Sequence, residues 1–137
     1  IMEHIPYCGG AAPDPSQLNN YSNYTSPILI INLADDSKTE MWLKGGHHYA
    51  YLAPGKYVIK EKYKDVPLKD FIKHYKKEVG GYYSNDTDKC FENWRNTNLF
   101  EIEVIEQDSI ISLNSTIGSR CFTGSNPCIH YNGPYPP

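Results

Sequence analysis

The chain is polar over its first 27 residues and then turns abruptly apolar. Residues 28–33, Ile-Leu-Ile-Ile-Asn-Leu, are a continuous apolar run, which predicts a strand buried on both faces. Asp35-Asp36-Ser37 ends it with turn-forming side chains. Residues 39–44 predict a second strand, Gly45-Gly46 a hairpin turn and residues 47–52 the returning strand. On that strand His47, Tyr49 and Tyr51 would share one face, and His48, Ala50 and Leu52 the other. Ala53-Pro54-Gly55 predicts a type II turn, with Pro54 presetting φ and Gly55 supplying a positive φ. Residues 56–63 follow as a strand whose charged later half points to an edge or to solvent. Residues 99–105 alternate, with Phe100, Ile102 and Val104 inward and Glu101 and Glu103 outward. Gln107-Asp108 predicts a turn, residues 109–113 another apolar strand and residues 117–122 one more.

One segment has a helical period. Over residues 67–78, Leu68, Phe71, Ile72 and Tyr75 form an apolar stripe, with Lys69, Lys73, Lys76 and Lys77 largely off it. Pro67 suits the first helical position, and Gly80-Gly81 stops the helix. The stripe predicts a helix laid on a sheet face or edge, its lysines solvated. Asp88 to Arg95 predicts a short helical turn with Phe91 and Trp94 three apart. Residues 1–27 and 123–137 are irregular, punctuated by Gly and Pro. Five to seven short strands with one inserted amphipathic helix predict a mainly β, antiparallel sandwich over 1–137 as a single domain.

Composition narrows the function classes. Lys and Arg number 13 against 16 Asp and Glu, a net charge of −3, which lacks the basic footprint of a nucleic-acid binder. No apolar run is long enough for a transmembrane helix. Four cysteines, Cys8, Cys90, Cys121 and Cys128, suit two disulfides and an oxidising compartment. Four cysteines allow three pairings; the short Gly124- and Asn126-Pro127-bearing loop favours Cys121–Cys128, leaving Cys8–Cys90. The start at Ile1, with neither a basic nor an apolar leader pattern, suggests the mature part of an exported protein. Sequons at Asn20, Asn23, Asn85 and Asn114 are common by chance in so polar a chain.

The stretch Tyr51-Leu-Ala-Pro-Gly-Lys-Tyr-Val-Ile-Lys-Glu61 resembles the L-x-P-G-x-Y-x-[VIL] signature of prealbumin-like (transthyretin/Ig-like) β-sandwich domains. These include carboxypeptidase regulatory-like and Cna-B-like domains of the bacterial envelope. Leu52, Pro54, Gly55, Tyr57 and Ile59 carry the match. Pro6-Tyr-Cys-Gly-Gly-Ala11 looks like the opening of small exported proteins with this domain, and Cys121 to Cys128 with Gly133-Pro-Tyr-Pro-Pro137 like their ending. Lys44-Gly45-Gly46-His47 stands where these domains often carry Asp-x-x-Gly, and the helix would be an insertion. The Tyr-Arg-Gly-Ser ending of the related hydroxyisourate hydrolases is absent, so the resemblance implies no enzyme.

No local motif assembles a nucleophile with its base, and no Gly-rich phosphate loop occurs. His4, Cys8, Cys121, Cys128 and His130 have ligand types suited to zinc or copper, but their spacing fits no usual structural-zinc pattern. Tyr49, Tyr51, Tyr131 and Tyr135 are the candidate binding surface, because tyrosine offers contact area at low entropy cost. The sequence thus predicts a non-enzymatic, cofactor-free module. It would be periplasmic, outer-membrane-associated or extracellular, with a structural role or an envelope protein or glycan as partner. A metal-binding envelope protein and a small hydrolase are the alternatives.

Overall fold

The computed structural model describes residues 1–9, 12–18, 20–44, 48–77, 81–106 and 110–134, leaving out the side chains of residues 17 and 18. Gly45, Gly46, His47, Gly80, the turn and strand start over residues 107–109, and Tyr135 lie outside them. In chain order the elements are β1 (Met2–Ile5), α1 (Pro15–Leu18), β2 (Asn20–Asn23), β3 (Pro27–Asn32), β4 (Lys38–Trp42) and β5 (Gly55–Glu61). There follow α2 (Leu68–Tyr75), β6 (Tyr83–Asn85), α3 (Asp88–Asn96), β7 (Phe100–Val104), β8 (Thr116–Ile117) and β9 (Ile129–Tyr131).

The apolar run becomes β3, buried at Ile28, Leu29, Ile30 and Ile31 and placed inside the antiparallel sheet β4-β3-β5-β7. Its hairpin to β4 uses the expected polar side chains. Asn32 Oδ1 accepts the Ala34 N–H at 2.9 Å, Asp35 Oδ1 accepts the Ser37 N–H at 2.9 Å, and Asp36 takes a φ of 57°. Asp tolerates that left-handed conformation better than a branched residue would. In register, Ile28, Ile30, Ile59, Phe100, Ile102 and Val104 share one face of the sheet. That face meets Tyr24, Leu43 and the partly buried Ile1, Leu52, Leu113 and Ile117.

The opposite face carries Leu29 and Ile31. Lys60 flanks Leu29, and Lys38 flanks Ile31. Both ammonium groups reach Asp65, at 3.4 and 2.9 Å, so one carboxylate spans the width of β3. Burial works against the Asp65 charge. The Lys38 hydrogen bond and the two ammonium charges outweigh it and hold the carboxyl below its ordinary range.

Several expectations change. The residues before 27 are not wholly irregular: β1 pairs antiparallel with β2 and parallel with β8, forming a separate three-stranded sheet. The tail also contributes a strand, β9, which pairs with β6. Residues 48–52 and 110–113 are not strands. In the later half of residues 56–63, β7 pairs only as far as Ile59 and Lys62 is exposed, as expected, but Glu61 is buried. The short helical turn expected over 88–95 is a second amphipathic helix, α3. The helix over 68–75 packs on α3, its Ile72 and Tyr75 join the cluster that contains Ile129 of β9, and Pro67 is its cap.

The helices build a second apolar cluster. Phe71 and Phe91 are fully buried, and the Phe71 ring lies 4.9 Å from Trp94 and 4.7 Å from Tyr75. Polar side chains from other elements tie the helix ends. Asn126 Nδ2 donates to the Tyr75 carbonyl at 3.1 Å, Asn85 clamps both backbone groups of Lys77, and Arg95 Nε donates to the Val66 carbonyl at 2.7 Å. The first satisfies a carbonyl that the C-terminus of α2 leaves open, and the other two fix the segments just after and just before that helix.

All four cysteines are in disulfides, Cys8–Cys121 and Cys90–Cys128. The local Cys121–Cys128 bridge does not form, because the loop closes by other means. Arg120 and Gly124 exchange two backbone hydrogen bonds of 2.9 Å, and Asn126 Oδ1 accepts the Cys128 N–H. Cys128 then enters the Phe91 cluster, where it meets Cys90, while Cys121 faces the Tyr7 carbonyl beside Cys8. Separations of 113 and 38 residues correspond to about 5 and about 4 kcal/mol in the chain-entropy model.

Replacing Cys90 and Cys128 together by Ser is expected to lower unfolding free energy in denaturant by about 4 kcal/mol. Peptide mapping of unreduced protein should recover the Cys8–Cys121 and Cys90–Cys128 cross-links; a Cys121–Cys128 peptide would contradict the fold.

Candidate functional site

The apolar face of the four-stranded sheet does not close against a second regular layer along its whole length. Residues 48–53 and 110–114 cross over it without strand pairing. Between them and the sheet lies a half-open cavity of about 930 Å³. Its floor is Ile28, Ile30, Ile59, Phe100, Ile102 and Val104.

The 48–53 segment is held at both ends. The Lys44 N–H donates to His48 Nε2 at 3.1 Å, and Tyr57 Oη donates to the Ala53 carbonyl at 2.6 Å. The second bond gives the Leu52-Ala-Pro-Gly-Lys-Tyr57 stretch its local logic, since a tyrosine hydroxyl reaching back four residues closes a corner. Gly55 has a φ of 157° and already belongs to β5, so this corner is not the type II turn expected there. Leu52 packs on the core, while Tyr49 is 81% exposed and Tyr51 fully exposed. Ile110, 92% exposed, and Ile111 stand across the mouth. Among the described lining residues there is no Asp, Glu, Lys or Arg.

Tyr24 connects this cavity with a buried polar knot. Glu61, 4% exposed, pairs with Lys64, 3% exposed, at 3.2 Å. Lys64 Nζ also donates to the Thr97 carbonyl at 3.0 Å. The Glu61–Lys64 contact is ionic, without an aligned hydrogen bond at Glu61 Oε2. Burial first, and the Glu61 carboxylate second, push the Tyr24 hydroxyl up to about 12 and raise Tyr63 as well. Burial alone raises Tyr75. Ser26 lies close enough to ease Tyr24 ionisation slightly, yet the Tyr24 hydroxyl completes no hydrogen bond. Nothing in the spacing of Glu61 and Lys64 signalled this pair, because a charged run at a strand end reads as a solvated one.

The other candidate residues separate in space. Cys8, Cys121 and Cys128 are disulfide-bonded, so the thiolates required for a zinc or copper set with His4 and His130 do not exist. His4 leans on Tyr21 with ring centroids 5.4 Å apart, and His130 Nε2 sits 3.7 Å from Asp86. Among the described residues no three of His, Cys, Asp and Glu group as an ion site. Tyr131 belongs to another aromatic group, 4.3 Å from Phe122 and 5.4 Å from Tyr83. Of the candidate surface tyrosines among the described residues, Tyr49 and Tyr51 line the cavity and Tyr131 does not.

No family model, no curated protein and no solved structure matches this chain. The likeness to prealbumin-like domains therefore rests on the residues that carry it.

Lys64→Met should destabilise the fold by about 3–5 kcal/mol, because it strands a buried carboxylate. The double change Glu61→Leu with Lys64→Met should recover most of that loss, as read by urea unfolding. A tyrosine with a raised folded pKa stabilises fully below its ordinary value of 10.0 and loses that contribution as pH rises through about 12. Absorbance at 295 nm should accordingly show Tyr24, Tyr63 and Tyr75 ionising after the exposed tyrosines, together with alkaline unfolding.

Proposed function

We propose that this chain is an exported, non-enzymatic binding module of the prealbumin-like β-sandwich class, acting by contact with an envelope component. The observation that carries the reading is the pair Tyr49 and Tyr51, presented in full exposure on a segment anchored at both ends. Exposed large side chains on a fixed support suit recognition, since little conformational freedom is lost on contact. Export is supported by two disulfides spanning 113 and 38 residues, a pattern of oxidising compartments. No described helix is long and apolar enough to cross a membrane. The prealbumin-like assignment draws on Leu52, Pro54, Gly55, Tyr57 and Ile59, and on the corner that Tyr57 closes.

The test is retention on an immobilised envelope extract. The protein produced in an oxidising compartment should bind saturably. Tyr49→Ser with Tyr51→Ser should weaken binding by at least about tenfold with an unchanged unfolding temperature, as exposed hot-spot residues do. Equal retention of the double variant removes this surface as the site of action.

A further inference from the structure

We infer that the cavity between the four-stranded sheet and residues 48–53 and 110–114 binds an uncharged, elongated apolar molecule ending in one neutral polar head. The inference deepens the binding reading above and rests on the same face of the protein.

A volume of about 930 Å³ falls near the upper end of small-molecule sites, which run from about 300 to 1,000 Å³. Hydrocarbon side chains, aliphatic except for Phe100, make up the floor, which offers almost no hydrogen-bond partners, and ordered water needs two to four of them. Water lying on that floor is therefore poorly held, while the polar groups of the lining stand away from it, and an apolar group displacing the floor water gains affinity. Self-closure has not removed the need for an occupant. Ile110 remains 92% exposed beside the cavity although apolar floor is open to it.

Charge selects the ligand class. A charged head would lose its hydration against a lining in which the described residues carry no opposing side-chain charge. The polar side chains of the lining include two neutral amides, Asn23 and Asn114, and these two lie close together. Asn23 is paired with Met2 across β1 and β2, while the Met2 N–H donates to the Ser115 carbonyl, next to Asn114. Both asparagines line the cavity. An alcohol, ester or amide head is met there by amides that both donate and accept, while the apolar body lies along the Ile30 and Ile59 row.

N-phenyl-1-naphthylamine, a neutral probe whose fluorescence rises in apolar surroundings, tests the inference on the full chain. It should bind saturably at one site per chain. 1-Decanol should displace it at least about tenfold more effectively than decanoate or decylammonium. Ser112→Trp and Ala50→Trp, both at exposed lining positions, should each weaken probe binding by at least about tenfold with far-UV spectra and disulfides unchanged. Failure of saturable binding, equal displacement by the charged competitors, or unchanged binding in both variants overturns the inference. So does probe binding that falls as the protein self-associates, since a second copy then covers the face. Envelope retention without probe uptake removes the cavity claim and leaves the Tyr49–Tyr51 surface standing. Probe uptake without retention does the reverse.

Discussion

Four consecutive buried residues, Ile28 to Ile31, impose the constraint from which the architecture follows. Alternating side chains leave a strand by opposite faces, so an uninterrupted apolar run must be covered on both. β4 and β5 flank it within the sheet. On one face the cover is polar at its outer layer, where Lys38 and Lys60 lie alongside Leu29 and Ile31 and are drawn together by Asp65. Long lysine stems can shield apolar surface while their ammonium groups remain paired. The other face is covered by pieces from distant parts of the chain, and they fit it incompletely. The cavity results from that incomplete cover.

The chain turns out of β5 directly into the charged knot. Glu61 still belongs to the apolar face of the sheet, opposite Ile28, yet it carries a carboxylate. Lys64 folds back from the following turn to neutralise it and also reaches the Thr97 carbonyl. Such a pair adds little net stability over an apolar substitute, but either charge alone is costly. It therefore constrains where the turn after β5 can sit. Tyr63, in that turn, stacks near Tyr75 and Trp94, so the same turn connects the sheet core to the helical cluster.

The two disulfides brace these two regions. Cys90–Cys128 fastens α3 to the segment before β9 inside the helical cluster, and Cys8–Cys121 fastens the segment after β1 to the loop after β8. Each connects segments that share few regular hydrogen bonds. Both therefore restrict the unfolded chain over long spans, whereas a Cys121–Cys128 bridge would have closed only a short loop already held by the Arg120–Gly124 pairing.

Local signals in the sequence determined β3, the polar hairpin at Asp35 to Ser37, the alternation of β7 and the apolar stripe of α2. Each depends on a short-range period or on side chains bonding to nearby backbone. The Leu52 to Ile59 stretch was legible as a corner with a positive φ at Gly55, although that φ of 157° opens β5 instead of completing a type II turn. Cysteine number pointed to disulfides, but the partners follow from where loops direct each Cβ, which no spacing records. Pairing of β1 with β2 and β8, and of β6 with β9, joins residues far apart in the chain and gives weak local periodicity because the strands have four residues or fewer. The burial of Glu61 and Lys64 and the space beneath residues 48–53 were likewise decided by tertiary structure. A charge is tolerated inside only where a partner arrives from another turn, and a cavity exists only where distant segments fail to meet.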